Sequence, residues 1–549
     1  MKKIFLCLLS IIMIISTLPC ISATAATGAP ISSADEFMAM SPTGEYYLTA
    51  DITLKSTYSK TFEGVLDGNG HSVTVSEPVF EDFSGKVINL TIEGKIVATD
   101  EASAAFALTS SKGFEAVSCT NNAPVTVTGN TKYAAGFVGT CYNAAVKFTD
   151  CVNNGAVYLD STADEKPRAG GFGAVIDTVV MNGCVNNGNI YLKGNVGIAG
   201  GLVARVVQNA AKNCLEIYGS TNNGNVTAED TYIAGDGTHG TGASDAGGIV
   251  GHIGISKNIG IYKIWGCRNN GNIDAPYRAG GFVGYCYGSK YDAYIDMQFC
   301  INTGNVVYGR DKLDINVVEY YDYGSAFVAY TNSVATTIKY CIDAGNLTLR
   351  EGAPLFEQGF IDGTTFIGAS SADITQYDLQ SIYILNVEQY KYLSHSSPFL
   401  SVANTFLVGQ CEGIGTYTAD DLRSGKIAYE INLAAENDRY STSASEEGVA
   451  FYQRIGEDVF PSVDASRGWV VLSGDAYANG ERETEPPETT KAPETEAETT
   501  KATETTSAPE TTNVPETEPT AQTGCGSMIA GAVAVVALLG TAIVFKKKG

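Results

Sequence analysis

Basic residues are scarce in this chain. Of its 549 residues, 35 are Lys or Arg and 60 are Asp or Glu, so the formal net charge is −25. Nucleic-acid binding depends on a surplus of Lys and Arg that displaces counterions from phosphates, so this balance argues against a nucleic-acid partner. Charged residues make up only 17% of the chain, whereas hydrophobic residues make up 44%. That hydrophobic content argues against wholesale disorder.

Familiar catalytic motifs are missing as well. The chain holds four histidines and two tryptophans, and no Ser-His-Asp or Cys-His arrangement stands out among them. It contains no P-loop, no His-Glu-x-x-His and no Cys-x-x-Cys pair. The sequence therefore gives a zinc site little support, and no motif singles out a catalytic residue.

The N-terminus predicts export. Two lysines precede an apolar run over residues 4–18, and the small residues Ala23-Thr24-Ala25 follow it. A basic start, a short apolar run and an A-x-A site are typical of a secretory signal peptide. We place this signal peptide at residues 1–26.

The C-terminus predicts a stalk and a membrane anchor. Residues 481–520 hold 13 Thr, 11 Glu and 6 Pro, and such a composition cannot bury a core, so we expect a disordered stalk over residues 481–524. In the anchor, residues 525–549, the segment 528–545 carries no charge and three lysines follow it. A run of that length just spans the hydrocarbon core, and the lysines favour a cytoplasmic C-terminus.

This C-terminus resembles the wall-anchoring end of Gram-positive surface proteins, with one departure. Sortase signals carry Leu-Pro-x-Thr-Gly, and this chain has Ala521-Gln522-Thr523-Gly524, which keeps only the Thr-Gly. We therefore expect single-pass retention in the cell membrane, with an extracellular ectodomain, rather than sortase attachment to the wall.

Two short motifs alternate along the middle of the chain. Ala-Gly-Gly-[Phe/Leu/Ile]-Val-Gly, complete or degraded, falls between copies of Cys-x-Asn-Asn-Gly-x-[Val/Ile]. Strict or looser copies of the Cys-x-Asn-Asn-Gly motif start at Cys119, Cys151, Cys184, Ser220, Cys267, Cys300 and Cys341. Asn-Asn-Gly tolerates a sharp turn, the following Val or Ile favours a strand, and Gly-Gly lets backbones approach closely. Units that bury their apolar faces only by stacking predict a β-solenoid.

The repeat also predicts columns of identical side chains. Six of the cysteines share one repeat position, so stacked coils should hold buried thiols. Disulfides remain the alternative, because an exported chain permits them. The asparagines of successive copies should stack in the same way and form amide ladders.

The Gly-Gly-[Leu/Phe/Ile]-Val-Gly copies resemble the GLUG-type repeats of bacterial, Gram-positive and Clostridia-like, cell-surface proteins. The segments 44–92 and 421–461 resemble the ends of those proteins, so the resemblance covers about residues 31–470. It implies an all-β fold, a right-handed parallel β-helix, with an adhesin-like role. We expect this repeat domain at residues 27–355. A small C-terminal α+β end module should close the solenoid at residues 356–480.

Two insertions are candidate ligand sites. Tyrosines close together on loops can stack on sugar rings and bond their hydroxyls, or they simply cover the solenoid flank. The candidates in the insertion over residues 310–323 are Tyr320, Tyr321 and Tyr323. One repeat earlier, the candidates are Tyr285, Tyr287, Tyr291 and Tyr294. In the insertion after Ser220, Asp236 and Asp245 could bind Ca²⁺, because carboxylates on a flexible loop suit a hard cation. The alternative there is an exposed polar loop, and we expect no other cofactor.

Three functions fit these features. We expect a non-catalytic adhesin or glycan-binding display domain whose partner is a glycan or a host or cell-surface ligand. The first alternative is a surface polysaccharide lyase or hydrolase on a pectate-lyase-like β-helix, which needs clustered carboxylates. The second is a structural spacer, against which the uneven steps of 47 and 41 residues between repeat copies count.

Overall fold

The computed structural model describes most of the chain between residues 27 and 482. The described residues are 27–163, 166–208, 215–231, 244–255, 260–288, 293–309, 322–332, 334–351, 362–364, 367–370, 375–380, 383–384, 407–412, 415–442 and 449–482. The predicted signal peptide, the predicted anchor and the stalk beyond Arg482 lie outside them. Within these ranges, no helix is long and apolar enough to cross a membrane.

The chain folds mainly as short strands. The first are β1 Ala29–Ile31, β2 Glu45–Leu48, β3 Ile52–Thr53, β4 Val65–Asp67, β5 Ser72–Val75, β6 Phe80–Asp82, β7 Lys86–Ile88, β8 Thr91–Gly94, β9 Ile96–Thr99, β10 Ser103–Ala104, β11 Ala107–Ser110, β12 Phe114–Val117, β13 Thr120–Asn121, β14 Val125–Gly129, β15 Tyr133–Ala135 and β16 Val138–Thr149. The next are β17 Val152–Asn153, β18 Val157–Ser161, β19 Arg168–Gly170, β20 Gly173–Asn182, β21 Val185–Asn186, β22 Ile190–Gly194, β23 Ile198–Gly200, β24 Val203–Gln208, β25 Leu215–Tyr218, β26 Thr221–Asn222, β27 Val226–Asp230, β28 Asp245–Gly247, β29 Val250–Ile255, β30 Gly260–Trp265, β31 Arg268–Asn269, β32 Ile273–Ala275 and β33 Arg278–Gly280. The last are β34 Val283–Tyr287, β35 Ala293–Gln298, β36 Ile301–Asn302, β37 Val306–Tyr308, β38 Tyr323–Ser325, β39 Val328–Asn332, β40 Ala335–Lys339, β41 Ile342–Asp343, β42 Leu347–Leu349, β43 Asp362–Thr364, β44 Ile367–Ser370, β45 Thr375–Gln380, β46 Tyr383–Ile384, β47 Leu407–Glu412, β48 Gly415–Thr416, β49 Trp469–Ser473 and β50 Ala476–Gly480.

Helices occupy only the two ends of the described chain. Helix α1, Ala34–Met38, follows β1, and helices α2, Ala419–Arg423, and α3, Lys426–Thr442, follow β48. A short 3-10 helix, Ala465–Arg467, precedes the hairpin of β49 and β50, which pair antiparallel.

The other strands stack in four parallel sheets, which confirms the predicted β-solenoid. They are a 20-stranded long sheet, a 12-stranded asparagine sheet that includes β31, and two 8-stranded sheets. We name the sheet of β10 to β43 the corner sheet and that of β9 to β42 the fourth sheet. One coil runs from β28 in the corner sheet through β29 and β30 in the long sheet. It continues through β31 in the asparagine sheet and ends at β32 in the fourth sheet. The next coil pairs in register 33 residues later, Asp245 with Arg278, so one repeat forms one coil.

Apolar side chains fill the inside of the solenoid as one continuous cluster, from Ile31 to Leu347. The aromatic residue of the Gly-Gly motif stacks between coils. The rings of Phe137 and Phe172 lie 5.0 Å apart and nearly parallel, at 2°. Stacking of this kind buries each ring against its own copy in the next coil, so the motif supplies the core as well as the turn.

The predicted asparagine ladder is confirmed. Six successive coils each bury one Asn, whose side-chain amide donates to the side chain at the same position of the next coil. The steps are Asn121 to Asn153 at 2.8 Å, Asn153 to Asn186 at 2.7 Å, Asn186 to Asn222 at 2.8 Å, Asn222 to Asn269 at 2.9 Å, Asn269 to Asn302 at 2.9 Å and Asn302 to Asp343 at 3.1 Å. The following Asn forms a second, exposed ladder, as from Asn187 to Asn154 at 2.8 Å. These amides fix the register of the coils.

The repeat cysteines also stack as predicted. Among the described residues, Cys119, Cys141, Cys151, Cys184, Cys267, Cys300 and Cys341 are buried free thiols, and Cys286 is buried as well. In the repeat column each thiol donates to a carbonyl two residues earlier, as from Cys267 to Trp265 at 3.4 Å. Burial raises the pKa of Cys267, so this thiol is a poor nucleophile.

The end module begins later than the sequence suggested. Strands β43 to β48 belong to the sheets of the solenoid, so the coils continue past residue 355 to Thr416. The predicted capping box is present, because Thr418 and Asp421 bond each other's backbone at the start of α2. The module packs on the side of the coils, where Phe451 lies 5.3 Å from the ring of Phe299. Its contacts are therefore with the flank of the solenoid.

Candidate functional site

The Ala-Gly-Gly corners arrange two columns of side chains on one flank of the solenoid. The first column holds the residue just before each corner: Tyr133, Arg168, Ile198, Asp245, Arg278 and Tyr323. The second column holds a residue shortly after it: Thr140, Val175, Arg205, His252, Tyr285 and Tyr330. We call these twelve residues the corner flank. Parallel strands lie about 4.8 Å apart, so neighbours within a column are in contact range.

Glycine brings the two columns together. A side-chain carbon on Gly247 would lie 2.0 Å from the carbonyl oxygen of Val250, and one on Gly248 would lie 2.1 Å from that of Gly281. No larger residue fits such approaches, so the chain folds tightly between β28 and β29. Ala246, the residue after the first column, lies in the core. Because side chains alternate along a strand, Asp245 faces outward.

Arg278 is the centre of the corner flank. Its Nη1 lies 3.3 Å from Oδ1 of Asp245, and its Nη2 donates to the hydroxyl of Tyr277 at 3.1 Å. Its Cζ lies 3.9 Å from the ring centroid of Tyr285 and 4.8 Å from that of Tyr330. The ion pair and the cation–π contacts hold this guanidinium in place. Burial raises the pKa of Asp245 to about 6, although Arg278 opposes that shift.

The tyrosines next to Arg278 form a continuous aromatic surface. The ring centroids of Tyr285 and Tyr330 are 5.3 Å apart, and those of Tyr323 and Tyr330 are 4.7 Å apart. Tyr285 and Tyr330 are half-buried, whereas Tyr287 is 40% exposed. The surface is therefore packed against its neighbours at Tyr323 and exposed to solvent at Tyr287.

Arg205 and His252 continue the second column beyond Tyr285. The imidazole centroid of His252 lies 4.6 Å from the ring of Tyr285, and Arg205 pairs in register with His252. The Nε of Arg205 and the Nδ1 of His252 are buried, and neither has a hydrogen-bond partner in the part of the chain that the structure describes. Burial lowers the pKa of His252 well below its usual range, and the neighbouring arginines lower it further. The imidazole is therefore neutral at pH 7, beside a cation.

The structure brings together three of the predicted tyrosines. Tyr285 and Tyr323 are members of the corner flank, and Tyr287 lies beside Tyr285 at a ring distance of 6.4 Å. Tyr294 belongs to β35, but its side chain is outside the described residues, as are Tyr291, Tyr320 and Tyr321. The sugar-binding role of the set stays a prediction.

Of the two predicted calcium ligands, only one lies among the described residues. Asp245 is buried and held by Arg278, so its carboxylate is already engaged by a cation. Asp236 lies outside the described residues. No group of three or more His, Cys, Asp or Glu side chains that could hold a metal ion occurs in the part of the chain that the structure describes. The calcium site stays a prediction.

Sequence reasoning missed the three arginines and the histidine of this flank. Arg168, Arg205, His252 and Arg278 are far apart in the chain and belong to no catalytic motif. Their common signal is position, because each immediately precedes or closely follows a Gly-Gly corner. Superposing the motif copies and reading the residues at their borders would have identified both columns.

Comparison with known proteins does not add to this picture. No family model, curated protein or solved structure matches the chain.

Proposed function

We propose that this chain is a bacterial cell-surface repeat protein that binds glycans without cleaving them, as an adhesin or a glycan-display domain. The corner flank carries this proposal. Aromatic faces and planar, multiply donating side chains are suited to sugar rings and their hydroxyls. Tyr285, Tyr330 and Arg205 supply both kinds of group in a single column, on coils that the asparagine ladder holds in register.

The organisation of the sequence supports display at the cell surface. The predicted signal peptide is in keeping with export, and the apolar C-terminal segment followed by lysines is in keeping with retention in the membrane. The resemblance to GLUG-type repeats is in keeping with an adhesin and with a right-handed coil.

A binding assay on the full chain in mild detergent tests this function. The chain is mixed with insoluble plant, fungal and mucin glycans, and bound protein is measured after washing. The variant Tyr285→Ala with Tyr330→Ala should lose binding. The matched control is Tyr158→Ala with Tyr191→Ala, because these two rings stack 4.8 Å apart on the fourth sheet. This control should bind glycans as the unchanged chain does. Equal binding by all three proteins would contradict the proposal.

Cleavage of a polysaccharide by a lyase or hydrolase is the second candidate. The position of His252 favours it, because a neutral imidazole one coil from Arg205 can serve as a general base, although burial and the neighbouring cations lower its pKa and weaken that base. The same tubes test this candidate through the release of reducing ends. Release that His252→Ala abolishes would show an enzyme, whereas binding without release supports the adhesin.

A further inference from the structure

The corner flank carries positive charge in an acidic protein. The chain has a net charge of −25, yet the two columns contain three arginines, Arg168, Arg205 and Arg278, and one carboxylate, Asp245. Charge of that sign in a half-buried surface favours an anionic ligand, since a cation removed from water needs a counter-charge.

Arg205 is the arginine that is open to such a ligand. Asp245 is already paired with Arg278, and among the described residues no carboxylate acts on Arg205. Arg205 is half-buried as a residue, and its buried Nε has no hydrogen-bond partner among the described residues. A guanidinium presents a planar fork of donors that fits a carboxylate through two parallel hydrogen bonds.

His252 adds a neutral hydrogen-bonding group one coil away. Its side chain is buried, with a residue exposure of 9%, and no described residue hydrogen-bonds its Nδ1. A neutral imidazole offers one donor and one acceptor, which matches a sugar hydroxyl rather than a second anionic group. The column thus places one cation beside one neutral polar group.

The rest of the column offers ring faces. From Arg205 the order is His252, Tyr285 and Tyr330, over three coil spacings or about 14 Å. A ligand along this column would meet a carboxylate site first, a hydroxyl site next and two aromatic rings last. That order fits an oligosaccharide with an acidic sugar at one end.

We propose that the corner flank recognises a glycan through the carboxylate of an acidic sugar, a uronic or a sialic acid. Arg205 binds the carboxylate, His252 bonds a hydroxyl of the same sugar, and Tyr285 and Tyr330 pack against the next ring. This inference rests on the proposed glycan binding and names its ligand class.

Matched probes test this inference by calorimetry on the full chain in mild detergent. Sialyllactose is compared with lactose, and trigalacturonate with its methyl ester, so each pair differs mainly in a free carboxylate. We expect the chain to bind at least one acidic probe at least tenfold more tightly than its neutral counterpart. Binding of sialyllactose would identify the acidic sugar as a sialic acid, and binding of trigalacturonate would identify it as a uronic acid.

Substitutions then locate the carboxylate site. Arg205→Gln should weaken binding of the acidic probe by about 10- to 100-fold, as expected for a charged hydrogen bond, and should leave binding of the neutral probe unchanged. Arg205→Lys keeps the charge without the fork and should recover only part of the affinity. The control Lys193→Gln removes an exposed cation from the fourth sheet, 3.8 Å from Asp160, and should change nothing.

Two results would overturn the inference and leave glycan binding in place. One is equal affinity for the acidic and neutral probes in the unchanged chain, a comparison that needs no variant to fold. The other is a loss of affinity on Lys193→Gln equal to that on Arg205→Gln, which would indicate that the overall charge of the chain attracts the probe. If no glycan binds in either assay, the proposed function fails as well.

Discussion

Removing one amide from the buried asparagine ladder should destabilise the solenoid locally. Asn186 is fully buried, and its side chain takes part in three hydrogen bonds. It accepts from Asn153 at 2.7 Å, donates to Asn222 at 2.8 Å and donates to the carbonyl of Gly188 at 2.9 Å. Asn186→Ala breaks all three bonds and leaves buried polar atoms without partners in the coils on both sides.

The magnitude follows from the number of groups left unsatisfied. A buried donor or acceptor without a partner costs about 1–3 kcal/mol. Asn153 keeps its second amide bond, to the carbonyl of Gly155 at 2.9 Å, which reduces the loss on that side. We therefore expect Asn186→Ala to lower the local free energy of unfolding by about 3–5 kcal/mol.

The adjacent asparagine provides a control in the same coil. Asn187 bonds Asn154 and Asn223 at 2.8 Å each, but it is exposed, so water can replace its partners after Asn187→Ala. Asn187→Ala should therefore lower the local free energy of unfolding by less than about 1 kcal/mol. Because repeat arrays open locally, the assay is hydrogen exchange of the amides in β21 and β26. Equal effects of the two substitutions would refute the reasoning that burial makes the inner ladder costly.

Three further predictions concern other parts of the same coils. Cys267 should resist alkylation in the native chain and react fully in denaturant, as mass mapping of labelled peptides would show, because burial raises its pKa. Gly248→Ala should disrupt the corner, since the added carbon would lie 2.1 Å from the carbonyl oxygen of Gly281, and circular dichroism should show a lower thermal midpoint. The pKa of His252 is lowered in the folded chain, so the unfolded chain binds more protons below about pH 6.5. The unchanged chain should therefore lose stability relative to His252→Gln as the pH falls from 7 to 5, and parallel pH profiles would contradict this.

The fold could be predicted because its causes are local and repeated. Asn-Asn-Gly and Gly-Gly specify the turns in every copy, and a shared repeat position such as that of Cys151 and Cys184 specifies a column. The end of the solenoid was harder to place. Beyond residue 355 the copies lose both motifs, yet strands such as Thr375–Gln380 still pair with the long sheet. Pairing with an existing edge can therefore extend a solenoid that its own sequence no longer predicts.

The candidate site was predicted only in part, and for a physical reason. Tyr285, Tyr287 and Tyr323 attract attention because aromatic residues cluster along the chain. Arg205 and His252 lie 47 positions apart, and only the register of β24 with β29 brings them together. Register depends on the length of each coil, including its insertions, so it cannot be read from a single copy of the motif.

Hydrogen exchange on the full chain with bound sugar tests the central claim most directly. The chain in mild detergent is compared with and without saturating sialyllactose or trigalacturonate. The account predicts slower exchange in β24, β29, β34 and β39, the strands that carry the second column of the corner flank. Unchanged exchange in these strands, with protection elsewhere, for example in β18 and β22 of the fourth sheet, would contradict it.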